Sequence, residues 1–271
     1  MSKVSAVALW MAGSVSVIAQ SAVSPAPQLR EMNALFLSPY TVNTGHVQVE
    51  SYVVGYAYGR DRRAGGDTRT SSWNIAPTTF KYGALDNLDF ELEISPYTSV
   101  RTNDRVARSV QRQSGFGDIR VNAKLNLWGN DSGSSAVALL PSIKFPTAQN
   151  GLGNDTFEGG LAIPIALELP RDWWLFFSPG LSVVQKGNAT GYTAAFGDTA
   201  SLWHQLVGDL SAYVEFANDI GFDAPEQWYG TVDLGCTYML GHNVQLDAGV
   251  LLGVTRTAPD VNPFLGLSFR F

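Results

Sequence analysis

The sequence predicts an all-β protein, a transmembrane antiparallel up-and-down β-barrel of about twelve strands. Three observations predict it: apolar and polar residues alternate along many short segments, short and long connections alternate between them, and the last segment alternates up to the C-terminal residue. In that segment Leu265, Leu267, Phe269 and Phe271 stand two apart and share one face of a strand. Pairing this strand with the first removes an exposed edge and closes a barrel.

Composition restricts the class of protein. Of 271 residues, 45% are hydrophobic and 15% are charged, with a mean hydropathy of +0.00. This hydropathy is too low for a helical membrane protein, but it suits a barrel in which lipid-facing and inward residues alternate. The single cysteine, Cys236, excludes an intramolecular disulfide framework. A net charge of -6 argues against nucleic acid as a partner.

The chain divides into three predicted parts. Residues 1–22 have the features of a secretory signal peptide, with Lys3 before a short apolar core. A membrane anchor is the alternative, but the core is short and no basic stop follows it. Residues 23–45 are then a periplasmic lead-in, and residues 46–271 form the barrel, located in a bacterial outer membrane.

Twelve segments have the length and composition of strands. Alternation is clear in 87–99, where Leu88, Phe90 and Leu92 oppose acidic residues, and too poor in 71–82 and 192–206 to assign faces. The predicted strands are 46–58, 71–82, 87–99, 115–128, 135–147, 155–169, 172–186, 192–206, 210–220, 226–240, 243–255 and 261–271.

The connections predict the orientation of the barrel. Short connections, which belong at the periplasmic end, are predicted at 83–86, 129–134, 170–171, 207–209 and 241–242. The outer connections are predicted at 59–70, 100–114, 148–154, 187–191, 221–225 and 256–260. Aromatic residues near strand ends, Trp128, Trp173, Trp228 and Tyr238, suit girdles at the two membrane–water boundaries.

Several short motifs carry a family resemblance. They are residues 38–50 (SPYTVNTGHVQVE), residues 115–120 (GFGDIR) with Lys124, the run Lys144 to Thr147 (KFPT), and residues 246–249 (LDAG) followed by 258–260 (APD). Together they resemble the outer-membrane transporter-like proteins named for the meta-pathway of phenol degradation. The resemblance implies a barrel and a role in passing small, aromatic compounds, and it implies no particular site residues.

Charged residues on the polar faces of the strands are predicted to line the lumen. They either fill a narrow barrel as structural ion pairs or form a polar passage that favours cations and neutral solutes over anions. Neighbouring strands would place Glu91 and Glu93 near Arg120 and Lys124, Lys144 near Glu158, and Arg270 near Glu50. The predicted lumen-lining residues are Glu50, Asp89, Glu91, Glu93, Arg120, Lys124, Lys144, Glu158, Glu168, Glu215, Asp233, Asp247 and Arg270.

Two predicted outer loops are rich in arginine. Guanidinium groups bind phosphate bidentately, so these loops are expected to contact lipopolysaccharide. Solvated loop charge, moderated by Asp61, Asp67 and Asp104, is the alternative. The arginines are Arg60, Arg62, Arg63, Arg69, Arg101, Arg105, Arg108 and Arg112.

The functional expectation is a passive channel or transporter for small solutes, some of them hydrophobic or aromatic. A plugged structural or lipopolysaccharide-binding barrel is the alternative, and a lipid-modifying barrel enzyme is a third hypothesis. His46, His204 and His242 have no ligand spacing and no His-x-Ser or Gly-x-Ser-x-Gly motif occurs, so no catalytic residue, metal or cofactor is predicted. Leu267, Phe269 and Phe271 are predicted to be the signal read by the barrel-assembly machinery, with outer-membrane lipids and periplasmic chaperones as further partners.

Overall fold

The computed structural model describes residues 37–62, 65–131, 133–186 and 191–271, with the backbone alone for 224–227. The predicted signal peptide, residues 1–22, therefore lies outside the described residues. Among the described residues no helix is long and apolar enough to cross a membrane. Seventeen strand segments form one sheet: β1 (Val47–Asp61), β2 (Thr68–Ile75), β3 (Thr78–Leu85), β4 (Leu88–Ile94), β5 (Tyr97–Asp104), β6 (Ser109–Gly115), β7 (Ile119–Trp128), β8 (Ser135–Phe145), β9 (Glu158–Ala162), β10 (Ile165–Leu169), β11 (Trp173–Phe177), β12 (Gly180–Gln185), β13 (Tyr192–Val207), β14 (Leu210–Gly221), β15 (Ala224–Met239), β16 (Val244–Gly253) and β17 (Val261–Arg270).

The sheet closes into an antiparallel barrel of twelve strands, as predicted. Seven strands are continuous, and five consist of two segments each: β2 with β3, β4 with β5, β6 with β7, β9 with β10, and β11 with β12. We number the barrel strands 1 to 12 along the chain. Strand 12 (β17) pairs antiparallel with strand 1 (β1), and Val47 and Phe271 exchange backbone hydrogen bonds of 3.0 and 3.1 Å. The closing seam therefore extends to the last residue of the chain.

Proline accounts for most of the interruptions. Pro77, Pro96, Pro164 and Pro179 each stand between the two segments of a divided strand. Proline has no N–H to donate to a neighbouring strand, so it interrupts the ladder and is tolerated at a local irregularity. Its carbonyl still accepts: Tyr52 N bonds Pro77 O at 3.0 Å, and Ile163 N bonds Pro179 O at 2.9 Å. These breaks obscure the period-2 pattern, most clearly in the predicted segment 71–82.

The two ends of the barrel differ, but less than predicted. Both 59–70 and 100–114 were predicted as long outer loops. In the structure β1 extends to Asp61, β2 begins at Thr68, and β5 and β6 form a hairpin whose turn is 105–108. The two strands of this hairpin are polar on both faces, so the sequence shows no alternation that would predict them. They are defined by the backbone pairing of β5 with β6. Longer outer connections remain at 146–157 and 254–260.

The outward face forms an apolar band around the barrel. Large hydrophobic side chains such as Phe90, Val121, Leu181, Leu234 and Leu265 are exposed on this face. Exposed apolar surface that surrounds a closed barrel requires lipid rather than water. The predicted girdle residues are also exposed on it: Trp128, Trp173, Trp228 and Tyr238. The barrel is therefore of the outer-membrane type.

Candidate functional site in the barrel lumen

Strands 1 to 4 carry a chain of buried ion pairs on their inward faces. Lys81 Nζ lies 2.7 Å from Glu50 Oε1 and 3.9 Å from Glu91 Oε1, and Lys124 Nζ lies 2.9 Å from the same Glu91 oxygen. Each of these four side chains is at most 4% exposed. In so little water every charge needs a partner, so alternating signs on successive strands stabilise one another.

The network continues toward the outer end of the lumen. Asn122 Nδ2 donates to Glu91 at 3.1 Å and to Glu93 at 2.6 Å, and Arg120 lies 3.5 Å from Glu93. Further up, Lys144 bridges Asp118 at 3.1 Å and Glu158 at 3.0 Å. This half of the lumen, strands 1 to 6, is a polar wall with charges of both signs.

The structure places every predicted lumen-lining residue on the inward face of its strand. Three predicted pairs are present: Glu91 with Lys124, Glu93 with Arg120, and Lys144 with Glu158. Glu50 is bonded to Lys81, and its register partner on strand 12, Ser268, lies two residues from Arg270. Glu168 shares the inward face of strand 6 but is exposed at the periplasmic end. The remaining members, Asp89, Glu215, Asp233, Asp247 and Arg270, are buried.

Lys81 is a lumen residue that the sequence reading missed. It is 1% exposed and belongs to the segment whose faces could not be assigned. Its neighbours Phe80 and Tyr82 are both exposed on the outward face. The alternation Phe80-Lys81-Tyr82, taken by itself, therefore predicts that Lys81 faces the lumen. The irregularity at Pro77 hid this alternation within the predicted segment 71–82.

The opposite half of the lumen is aromatic. Trp174 and Phe176 on strand 7, Trp203 on strand 8, Tyr213 on strand 9 and Phe264 on strand 12 form a buried cluster inside the barrel. Tyr52 of strand 1 packs against it, with its ring centroid 5.0 Å from that of Phe264 in an edge-to-face arrangement. We call this set the aromatic wall. The sequence reading expected aromatic residues at the girdles and missed this wall.

Two glycines make room for these rings. A methyl group at Gly249 would lie 2.6 Å from the ring of Phe264, and one at Gly235 would overlap Tyr213. These glycines lie on the inward faces of strands 11 and 10 and fill the row between Tyr213 and Phe264. A glycine on one strand thus leaves space for a large side chain on the neighbouring strand. The alternation of residues along a single strand does not predict such a contact.

Hydrogen-bond acceptors lie beside the aromatic wall. Glu215 and Asp233 face each other across strands 9 and 10, and Ser201 is the partner of Glu215 on strand 8. All three side chains are at most 1% exposed. Among the described residues, neither carboxylate oxygen of Glu215 nor the hydroxyl of Ser201 has a hydrogen-bond partner. This row is the next inward-facing row after Trp203 and Tyr213, two residues along each strand, and it presents unused acceptors next to apolar rings.

Residues 37–45 of the lead-in enter the lumen from the periplasmic end. Val42 N donates to Asp89 Oδ2 on strand 3 at 3.0 Å, and Lys124 Nζ on strand 4 donates to Tyr40 O at 3.2 Å. Ser178 Oγ on strand 7 donates to Leu37 O at 2.8 Å. Tyr40 also packs against the aromatic wall. The segment therefore spans from the polar wall to the aromatic wall, whereas the sequence reading placed it outside the barrel.

The predicted lipopolysaccharide-contact arginines lie at the outer end of strands 1 to 4. Arg60, Arg69, Arg101 and Arg112 lie on strand extensions, which corrects their assignment to loops, because the hairpins are longer than predicted. Arg62, Arg105 and Arg108 lie in the connections, and Arg63 is outside the described residues. Asp67 accepts from Arg60 Nε and Nη2, both at 2.6 Å. This hydrogen bonding by Arg60 holds the pKa of Asp67 below its ordinary value.

Metal ligands and histidines are the remaining candidates for chemistry in the described chain. No group of three or more His, Cys, Asp and Glu side chains within it could hold a metal ion. His204 stacks on Trp173 with ring centroids 4.5 Å apart, and His46 Nδ1 lies 3.2 Å from Thr44 O. Each of these histidines thus makes a local structural contact at the periplasmic end.

Family comparison agrees with the resemblance seen in the motifs. A family model described as "Putative MetA-pathway of phenol degradation" matches residues 37–271. The chain belongs to this family. The match begins at the lead-in, so the family pattern includes the segment inside the lumen as well as the barrel. Among curated protein sequences, none is similar enough to the chain to count as a match.

Solved structures show the same fold at low identity. An outer-membrane channel from Pseudomonas putida F1 has a TM-score of 0.61 at 12% identity, covering 93% of this chain and 100% of that one. The translocator domain of the autotransporter NalP from Neisseria meningitidis has a TM-score of 0.52 at 12% identity, covering 84% and 90%. The NanC porin has a TM-score of 0.50 at 8% identity, covering 82% and 98%. These likenesses confirm the predicted outer-membrane barrel.

Proposed function

We propose that the protein is a passive channel of the bacterial outer membrane for small solutes that combine an aromatic ring with a hydrogen-bond donor. The observation that carries the proposal is the division of one lumen into a polar wall and an aromatic wall. A solute passing between them meets apolar rings on one side. Unused carboxylate and hydroxyl acceptors, those of Glu215 and Ser201, lie beside the same rings.

The chemistry of the aromatic wall supports this class of solute. Aromatic rings stack in offset or edge-to-face arrangements, as Tyr52 and Phe264 already do. A solute hydroxyl or ammonium group can donate to Glu215, and a cation beside Glu215 and Asp233 supplies the counter-charge that Glu215 lacks, which an anion cannot do. Such a pair favours cations and neutral donors. The family description, which refers to phenol degradation, agrees with this chemistry, and the outer-membrane channel from Pseudomonas putida F1 supports passage of solutes through such a barrel.

A plugged barrel is the second candidate, and the lead-in favours it. Residues 37–42 bond to strands 3, 4 and 7 and thereby narrow the periplasmic half of the lumen. If the protein is a channel, this segment forms a constriction that solutes pass. If the barrel is plugged, the segment closes the lumen. The three solved relatives are described as a channel, a translocator domain and a porin, which favours transport over the lipid-modifying enzyme.

Conductance in planar bilayers tests the proposal. The full-length mature protein should give discrete single-channel steps and, under a salt gradient, a reversal potential of the sign that indicates cation preference. A carboxylate about 4 Å from a passing ion contributes on the order of 1–4 kcal/mol. Neutralising Glu215 and Asp233 together (Glu215→Gln with Asp233→Asn) should therefore move the reversal potential toward zero.

Glu168→Gln is the matched control. Glu168 lies on the same inward face but is exposed at the periplasmic end, where water and salt screen its charge. The control should leave the reversal potential unchanged. Anion preference in the unmodified protein would contradict the role of Glu215 and Asp233, and no conductance at all would establish the plugged barrel.

The proposal extends to export and assembly. The signal peptide predicted at residues 1–22 would deliver the chain to the periplasm, where chaperones would keep it soluble. The C-terminal strand supports recognition by the barrel-assembly machinery: Leu265 and Phe271 are exposed on the outward face, and the rings of Phe269 and Phe271 stack at 5.8 Å.

A further inference from the structure

Four arginines meet on the outward face of the barrel at its outer end. Arg60 of strand 1 is the register partner of Arg69 of strand 2, and Arg101 of strand 3 is the partner of Arg112 of strand 4. Ser71 of strand 2 is the register partner of Arg101 and lies two residues from Arg69. The two arginine pairs therefore lie in adjacent rows of the outward face. We call Arg60, Arg69, Arg101 and Arg112 the outer arginine patch.

The patch has an excess of positive charge. Asp67 neutralises Arg60 at 2.6 Å and lies 3.8 Å from Arg69. No carboxylate of the described residues forms an ion pair with Arg101 or Arg112, and both side chains are exposed. Asp104, the nearest acid along the chain, accepts from the backbone N–H groups of Val106 and Ala107 in its own turn. Like charges placed opposite each other across two strands destabilise the pair, so an anion between Arg101 and Arg112 would be stabilising.

The aromatic residues below the patch fix its height. Tyr56, Trp73 and Tyr97 lie on the same outward face of strands 1 to 3, and the rings of Tyr56 and Trp73 are 4.7 Å apart. Trp and Tyr side chains of this kind mark the membrane–water boundary. Each residue rises about 3.3 Å along a strand, so arginines four residues further on lie just above that boundary. This is the level of lipid phosphate groups in the outer leaflet.

The rest of the outer rim contrasts with the patch. In its described part, strands 5 to 12 and their outer connections contribute three cations, Lys144, Lys186 and Arg256. Lys144 faces the lumen and is paired with Asp118 and Glu158. Lys186 is already bonded to Asp223 at 2.7 Å. Unpaired positive charge is therefore concentrated on one side of the barrel, facing lipid rather than the lumen.

We propose that the outer arginine patch is a binding site for the phosphate groups of lipopolysaccharide. A phosphate accepts bidentate hydrogen bonds from guanidinium, and one anion between Arg101 and Arg112 relieves their repulsion. A lipid with two or more phosphates on its headgroup can satisfy this pair and Arg69 together. The site is separate from the lumen and does not depend on the solute that the channel passes.

Binding of purified lipopolysaccharide to the refolded full-length mature protein in detergent tests the proposal, with native mass spectrometry as the readout. Arg101→Gln with Arg112→Gln should weaken binding by roughly tenfold or more, since two charge-assisted contacts are lost. Lys186→Gln with Arg256→Gln removes the same charge from the other side of the rim and should leave binding unchanged. Heat-modifiable gel migration verifies that each variant is folded.

A second arm uses the unmodified protein. Enzymatically dephosphorylated lipopolysaccharide should bind about as weakly as intact lipopolysaccharide binds to the double arginine variant. Phosphatidylglycerol, which carries one phosphate, should bind more weakly than the intact lipid. Equal affinity for intact and dephosphorylated lipid, or equal losses in the two double variants, would overturn the proposal.

Discussion

Replacing Lys81 with methionine should destabilise the barrel more than any exposed lysine replacement. Lys81 connects strand 2 to Glu50 of strand 1 at 2.7 Å and faces Glu91 of strand 3 at 3.9 Å. Methionine keeps the unbranched shape of the side chain and removes the charge. The variant therefore leaves the Glu50 carboxylate, 1% exposed, without its ammonium partner.

The size of the loss follows from burial. Removing one partner of a buried ion pair costs about 3–5 kcal/mol, because the remaining charge stays desolvated. Gln48 Nε2 still donates to Glu50 Oε1 at 2.8 Å, which places the expected loss near the lower end, about 3 kcal/mol. Replacing both partners, Lys81→Met with Glu50→Gln, also removes the buried charge of Glu50 and should recover most of that loss.

Lys186 supplies the control, because Lys186 Nζ lies the same 2.7 Å from Asp223 but the two side chains are 38% and 53% exposed. Lys186→Met should cost much less than Lys81→Met, because water and salt screen an exposed pair. The measurement is urea-induced unfolding in phospholipid vesicles, followed by tryptophan fluorescence. Equal losses for Lys81→Met and Lys186→Met, or a double variant less stable than Lys81→Met, would refute the reasoning about burial.

Three further predictions concern other parts of the chain. Phe271→Asp puts a charge at the end of the closing seam and should leave unfolded protein in the periplasm; normal heat-modifiable migration of this variant on a gel would count against the assembly signal. Deleting residues 37–42 should raise single-channel conductance, because their bonds to strands 3, 4 and 7 narrow the lumen; an unchanged conductance would mean that the constriction lies elsewhere. The Arg60 hydrogen bond lowers the pKa of Asp67 below 3.8, so its contribution to the stability of the outer hairpin is complete above pH 3.8 and is lost as the pH falls through the lowered value. A carbon-13 titration of Asp67 should show the lowered midpoint, and Arg60→Gln should restore the ordinary one.

The sequence alone determined the strands, their number and the facing of most charged residues. Side chains alternate with a period of two along any strand, so Leu88 to Ile94 shows its faces without reference to a partner. At Pro77 a break in the strand shifts that period. The faces of segment 71–82 could therefore not be assigned from the sequence, and Lys81 was not predicted to line the lumen. The hairpin of β5 and β6 was taken for a loop for a related reason, since both of its faces are polar and its strands are defined by their pairing.

Only the tertiary structure decided which inward residues meet. Closure fixes the register of strand 1 against strand 12, and the stagger of the remaining strands then brings Tyr52, Phe264 and Tyr213 together from distant parts of the chain. Gly235 and Gly249 admit those rings, an effect of one strand on the next that no local pattern contains. The lead-in lies in the lumen because Asp89, Lys124 and Ser178 form hydrogen bonds with its backbone there. These three residues are on different strands and come close together only in the closed barrel.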